Sequence, residues 1–350
     1  MFLRPFRFPR RRRALVCALA LALSTGSALA ETVNIYSYRQ PDLIQPLLDG
    51  FTKETGIETK VLFADKGLGE RIAAEGPNSP ADVLLTVDIG RLQGAKELGI
   101  TQPVTSPVVK ENVPARYRDP EGHWTGLTTR ARVVYASRDR FPGDEITYEE
   151  LADPKNRGRV CTRSGQHAYS IGLFAWKLAQ DGEDETRLWL AGLRDNLARK
   201  PAGNDRAQVK SIHSGECDLA IGNTYYMGKM LTNEEEPEQK EWAASAKVLF
   251  PTSKKGGTHQ NVSGVVMARH APHPEAALKL IEYLSTDEAQ RVYAEANYEY
   301  PVKPGVPVSD LVASWGEPKA DTVTLDAVAR NRKRASQLVD EVDFDAGPQS

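Results

Sequence analysis

The chain has 350 residues, 45 of them Lys or Arg against 47 Asp or Glu, with a net charge of −2 and 40% hydrophobic residues. This length predicts about two domains of ordinary size. The slightly acidic balance argues against nucleic acid as a partner, and past the leader no stretch reaches about 18 consecutive apolar residues, so no membrane-crossing helix is expected.

Residues 1–30 read as an export signal rather than part of the fold. Arg4, Arg7 and Arg10 to Arg13 form a basic region, 14–23 an apolar one, and Ala28-Leu29-Ala30 a small-residue cleavage site. The mature chain is expected to start at Glu31 and to be periplasmic. Loss of six arginines and no acids takes its net charge from −2 to −8. Cys17 lies too early in the apolar run for a lipid-attachment site. The remaining cysteines, Cys161 and Cys217, belong to no Cys-x-x-Cys motif, and an oxidising compartment predicts that they pair.

Residues 33–38 read as an opening strand. Pro41 then starts an amphipathic helix with Leu43, Ile44, Leu47, Leu48 and Phe51 on one face and Gly56 as its stop. A strand at 57–63, a helix at 68–74 and a strand at 81–87 complete a β-α-β-α-β pattern, which predicts an α/β fold with a mainly parallel sheet. A strand at 132–136, entered through Thr128-Thr129-Arg130, leads to a second α/β unit. That unit has strands at 159–162 and 217–222 and helices at 170–179, 185–197 and 207–214. Strands at 247–250 and 261–268 follow, then helices at 274–284 and 286–294 and a mostly helical tail over 311–343. The charged run Glu234-Glu235-Glu236 with Glu238, Gln239 and Lys240 reads as a solvated loop. Crossings near Arg130 and Gly257 predict two hinged lobes around a cleft. The first is expected to comprise 31–131 completed by 256–306, the second 132–255 completed by 307–350.

Asn223-Thr224-Tyr225-Tyr226 places two phenols at the carboxyl end of a strand, where open α/β sheets bind ligands. Tyr169 follows the Cys161 strand and occupies the equivalent place. A Cys161–Cys217 bond would lay the two strands side by side, with all three phenols facing one crevice. A tyrosine pair alone is more often packing than chemistry. Three phenolates, however, are hard oxygen donors that match the charge of a ferric ion. Arg130 suits a carbonate-like anion through paired hydrogen bonds, with an interlobe salt bridge as the alternative. Backbone amides at the helix starts near Gly165 or Asn223 are expected to assist it. The histidines at 123, 167, 213, 259, 270 and 273 show no zinc-binding spacing. No second catalytic group accompanies the phenols, so no enzymatic activity is expected.

With these motifs the chain resembles the periplasmic ferric-ion-binding proteins of bacterial iron ABC transporters, the transferrin-like members of the periplasmic solute-binding proteins. The resemblance runs from Ile35-Tyr36-Ser37 through Ser79-Pro80-Ala81-Asp82-Val83 and Asn223-Thr224-Tyr225-Tyr226 to Glu299-Tyr300-Pro301-Val302. It implies a monomeric, two-lobed carrier that delivers Fe3+ to an ABC permease of the inner membrane. Tyr225 and Tyr226 would be iron ligands, Tyr169 the additional tyrosine of one subgroup, and Arg130 the holder of a synergistic anion. Two positions depart from the pattern: Gln40 stands where many members have histidine, and Leu68 where some have glutamate. From the first lobe, Tyr38 or Gln40 is then the expected ligand, unless an anion and water complete the shell. The alternative cargo is a small organic or oxyanion solute held by the aromatics and Arg130.

Overall fold

The computed structural model describes residues 1–2, 31–319 and 321–349. Nearly all of the expected export signal, with Cys17, lies outside them. The chain begins its fold with β1 (Thr32–Ser37) and α1 (Pro41–Thr55). Pro41 opens the helix, where its missing N–H costs nothing, and Gly56 ends it at φ 72 with its own N–H on the Thr52 carbonyl. Ile44, Leu47, Leu48 and Phe51 enter the first core. Leu43, expected beside them, turns toward the cleft instead.

Next come β2 (Glu58–Phe63), α2 (Leu68–Glu75) and β3 (Val83–Thr86), with β1 parallel to both other strands. Three short elements follow that periodicity had not marked: α3 (Ile89–Glu97), capped by Asp88, then β4 (Thr101–Gln102) and α4 (Pro107–Asn112). The strand expected at 132–136 is longer, β5 (Thr125–Ser137), and buried along its whole length.

The second unit contains β6 (Val160–Cys161), α5 (Ala168–Asp181), α6 (Glu183–Asp195), α7 (Asp205–His213), β7 (Leu219–Asn223) and α8 (Thr224–Leu231). Then α9 (Glu238–Ala244) takes in Glu238, Gln239 and Lys240 of the charged run, while Glu234, Glu235 and Glu236 lie in the exposed loop expected for it. Acidic residues suit the first turn of a helix, and Gln239 on this one is buried. The chain continues through β8 (Ala246–Leu249), β9 (Gln260–Ala268), α10 (Pro274–Leu284), α11 (Asp287–Asn297), β10 (Tyr300–Pro301), α12 (Asp310–Ala313) and α13 (Leu325–Glu341).

Two sheets share β5. One runs β2-β1-β3-β9-β5, with β4 added on β9 and β10 on β5; the other runs β6-β7-β5, with β8 also on β5. The change of partner falls between Ala131, opposite Gln260 of β9, and Arg132, opposite Asn223 of β7. Because strand side chains alternate, Arg130 and Arg132 lie on one face at this junction. The Cys161–Cys217 disulfide, with Cα atoms 6.0 Å apart, ties the edge strand β6 to the approach to β7.

Candidate metal and anion site

Strands β6 and β7 run parallel, so their carboxyl ends come together and the helices that follow start side by side. At the first helix start, His167 caps α5 through Nδ1, which accepts the Tyr169 backbone N–H at 3.1 Å. Tyr169 is thereby held in the opening turn. At the second, Gly222 is required because a Cβ there would lie 2.1 Å from the Tyr135 ring. Tyr135 in turn donates its hydroxyl to the Asn223 carbonyl at 2.5 Å, fixing the turn that presents Tyr225 and Tyr226.

The three phenols meet. Tyr169 and Tyr225 hydroxyls are 3.2 Å apart, and the Tyr225 and Tyr226 rings stack with centroids 4.2 Å apart at 33°. All three line a cavity of about 310 Å3 between the two sheets. Burial, and then the neighbouring Tyr169 and Tyr226, push the Tyr225 hydroxyl well above its ordinary pKa, against the opposing pull of Arg130. Tyr226 is raised for the same leading reason. In the metal-free protein these two phenols are therefore protonated at neutral pH, and any cation they bind must displace their protons.

Behind the phenols lies a buried charge network. Arg132 and Arg163 donate to opposite oxygens of Asp205 at 2.7 and 3.0 Å, and both guanidiniums face the Tyr169 ring. Asp205 also accepts the Asn223 backbone N–H at 2.9 Å. This corrects one expectation: the helix-start amides are already occupied, Asn223 by Asp205 and Gly165 by Asp345 at 2.6 Å. Asn223 does not line the cavity. Its side-chain oxygen accepts from Arg132 at 3.1 Å, so it seats that guanidinium.

Arg130 does line the cavity, although the residue is only 1% exposed. Its guanidinium donates to Ser263 Oγ at 2.8 Å, its Nε has no partner, and no carboxylate pairs with it among the described residues. The interlobe salt bridge considered for Arg130 does not form among the described residues; neighbouring Arg39 pairs with Glu299 at 3.0 Å, and both belong to the first expected lobe. On the first-lobe wall, Tyr38 accepts the Gly69 N–H at 3.0 Å and lies under the Arg91 guanidinium, 4.0 Å from its ring centre. Gln40 stands exposed at the mouth and makes no side-chain cap to α1.

Motif reading missed Arg39, Arg91, Arg163, Arg206 and Lys229, which give the cavity a cationic wall. Lys229 had a signal, since it follows Tyr225 by four residues and shares its helix face. Arg206 had none. Among the described residues no cluster of His, Cys, Asp and Glu is suited to a metal, so phenols are the principal oxygen donors available here.

The sequence pattern of a family described as bacterial extracellular solute-binding protein matches residues 78–321. The chain belongs to that family. This solute-binding protein is 46% identical to iron uptake protein A1 of Synechocystis sp. over 314 residues, 89% of this chain and 87% of that one. Among solved structures, apo ferric ion-binding protein A of Pasteurella haemolytica matches with a TM-score of 0.86 and 50% identity, over 90% of this chain and 99% of that one. A Trichodesmium protein in complex with iron and citrate matches with a TM-score of 0.84 and 38% identity, over 89% of this chain and 99% of that one. The family relationship and two-lobed α/β fold expected from the sequence both hold.

Proposed function

We propose that this solute-binding protein captures ferric iron in the periplasm and delivers it to an ABC permease, with Tyr169, Tyr225 and Tyr226 as phenolate ligands. The carrying observation is the convergence of three tyrosines at two adjacent strand ends, with one hydroxyl pair 3.2 Å apart. Its similarity to proteins named for iron uptake and ferric-ion binding supports the same cargo. Each phenol would lose its proton on binding, and three phenolates would balance the charge of Fe3+.

Arg130 is suited to hold a synergistic anion such as carbonate, because its guanidinium reaches the cavity without a carboxylate partner. Tyr38 and Gln40 are the first-lobe candidates to complete the shell. The lobes are read as 31–131 with 256–306, and 132–255 with 307–350, closing on the iron as a monomeric carrier.

The test is a visible absorption titration of the metal-stripped mature protein with ferric citrate, repeated for Tyr225→Phe. A red to purple band saturating at one iron per chain is expected. Its loss or shift in the variant would mark a tyrosinate ligand. Because outer-shell changes alone cost roughly 10–100-fold in metal affinity, removing this ligand should cost about 100-fold or more. A colourless protein that takes up no iron would overturn the reading. The cationic wall would then favour an organic or oxyanion solute.

A further inference from the structure

Where β5 and β9 run together toward the junction of the two sheets, a single hydroxyl holds two cations. Ser263 of β9 stands opposite Thr128 of β5, and its Oγ accepts from Arg39 at 2.5 Å and from Arg130 at 2.8 Å. The residue is buried, and its hydroxyl makes no other hydrogen bond among the described residues. The two guanidiniums differ in what else they meet. Arg39 also donates to Glu299, a buried carboxylate that accepts from Thr128 Oγ1 at 2.7 Å as well. For Arg130, Ser263 is the one side-chain hydrogen-bond partner among the described residues, and the guanidinium lies 5.8 Å from the Tyr169 ring centre. Glu299 therefore balances the charge of Arg39, and that of Arg130 stays uncompensated at the cavity.

We propose, on the ferric-iron and anion reading above, that Ser263 and Glu299 are positioning residues that set how tightly the synergistic anion binds. Ser263 pins Arg130, whose long side chain would otherwise sample several rotamers, and so lowers the ordering cost that the anion has to overcome. Glu299 acts in the opposite sense. By neutralising Arg39 it leaves the anion one uncompensated guanidinium of this pair, and its own charge repels a second negative group. A carrier has to release its load, and a site balanced in this way holds the anion without trapping it.

The metal-stripped mature chain is given an equimolar amount of iron, as ferrous chloride oxidised by air in carbonate-free buffer, and is titrated with bicarbonate. The readout is the half-saturating bicarbonate concentration for the tyrosinate band. In Ser263→Ala it should rise about tenfold, the worth of one hydrogen bond to a charged group. Ser263→Thr, which keeps the hydroxyl, should return it close to the wild-type value. In Glu299→Gln it should fall about tenfold, because Arg39 becomes a second uncompensated cation. General damage to the site would raise both values, so the opposite shifts mark positioning. An unchanged value in Ser263→Ala, or an unchanged or raised one in Glu299→Gln, overturns the proposal, and either variant decides if the other does not fold. A band that forms fully without bicarbonate overturns it too and leaves the ferric reading intact. A wild-type protein with no band at any bicarbonate concentration overturns the ferric reading and this proposal with it.

Discussion

At the scale of single residues, the candidate site sets protonated phenols beside a cationic wall. Desolvation holds Tyr225 and Tyr226 neutral, so each must give up a proton to become a ligand. Affinity for iron should consequently rise with pH by up to about tenfold per unit for each phenol deprotonated on binding. Between about pH 5 and 8 the phenols of the metal-free protein stay below their raised pKa values, so affinity falls continuously on acidification. His167 adds nothing to that slope. Burial first, then Arg163 and Arg132, push its imidazole down to about 3, leaving it neutral across the range. Competition titrations corrected for the competitor's own protonation would measure the slope. A flat profile would exclude protonated tyrosines as the ligand source.

At the scale of elements, Asp205 on α7 links the pieces that present the tyrosines. Although burial alone would raise its pKa, Arg132 and Arg163 together with the Asn223 amide hold it below the usual carboxylate range. Asp205→Asn would leave two guanidiniums facing a neutral amide in the interior. The expected loss is about 3–5 kcal/mol of stability, measured by urea unfolding of the metal-free protein. Iron affinity should fall as well, because Arg132 and Arg163 border Tyr169 and Asn223 precedes the Tyr225 helix. Wild-type stability would show that the network does not organise these helix starts. The disulfide supports the same strand ends by closing a separation of 56 residues, for which the chain-entropy argument gives about 4 kcal/mol.

At the scale of the whole molecule, the tyrosine helix also touches the first-lobe side of the cleft. Tyr298, just beyond α11 at a left-handed φ of 56, packs over Gly228 of α8 and donates its hydroxyl to Thr232 Oγ1 at 3.0 Å. A Cβ on Gly228 would approach the Tyr298 ring to 2.4 Å. Gly228→Ala should therefore disfavour this contact by about 1–3 kcal/mol, the usual range for overpacking. Weaker iron binding and a larger radius of gyration in the iron-loaded variant, by X-ray scattering, are expected. Wild-type values for both would remove Tyr298 from the closing surface.

Local signals were legible wherever neighbouring residues impose a conformation. Pro41 and Gly56 bounded α1, and an apolar strand running into Asn223-Thr224-Tyr225-Tyr226 marked the strand-to-helix turn that brings two tyrosines to the cavity. The same sequence anticipated the cysteine pair and an arginine at the lobe crossing, since compartment and strand alternation constrain them locally. It did not disclose that Arg39 would pair with Glu299 across 260 positions, that the Asn223 amide would be taken by Asp205, or that Arg206 would border the tyrosines. Those arrangements depend on how β5 changes partner at Arg132 and brings distant helices to one cavity. Chain periodicity specifies an element and its buried face; only tertiary packing decides which distant charges are neutralised there and which remain free to meet a ligand.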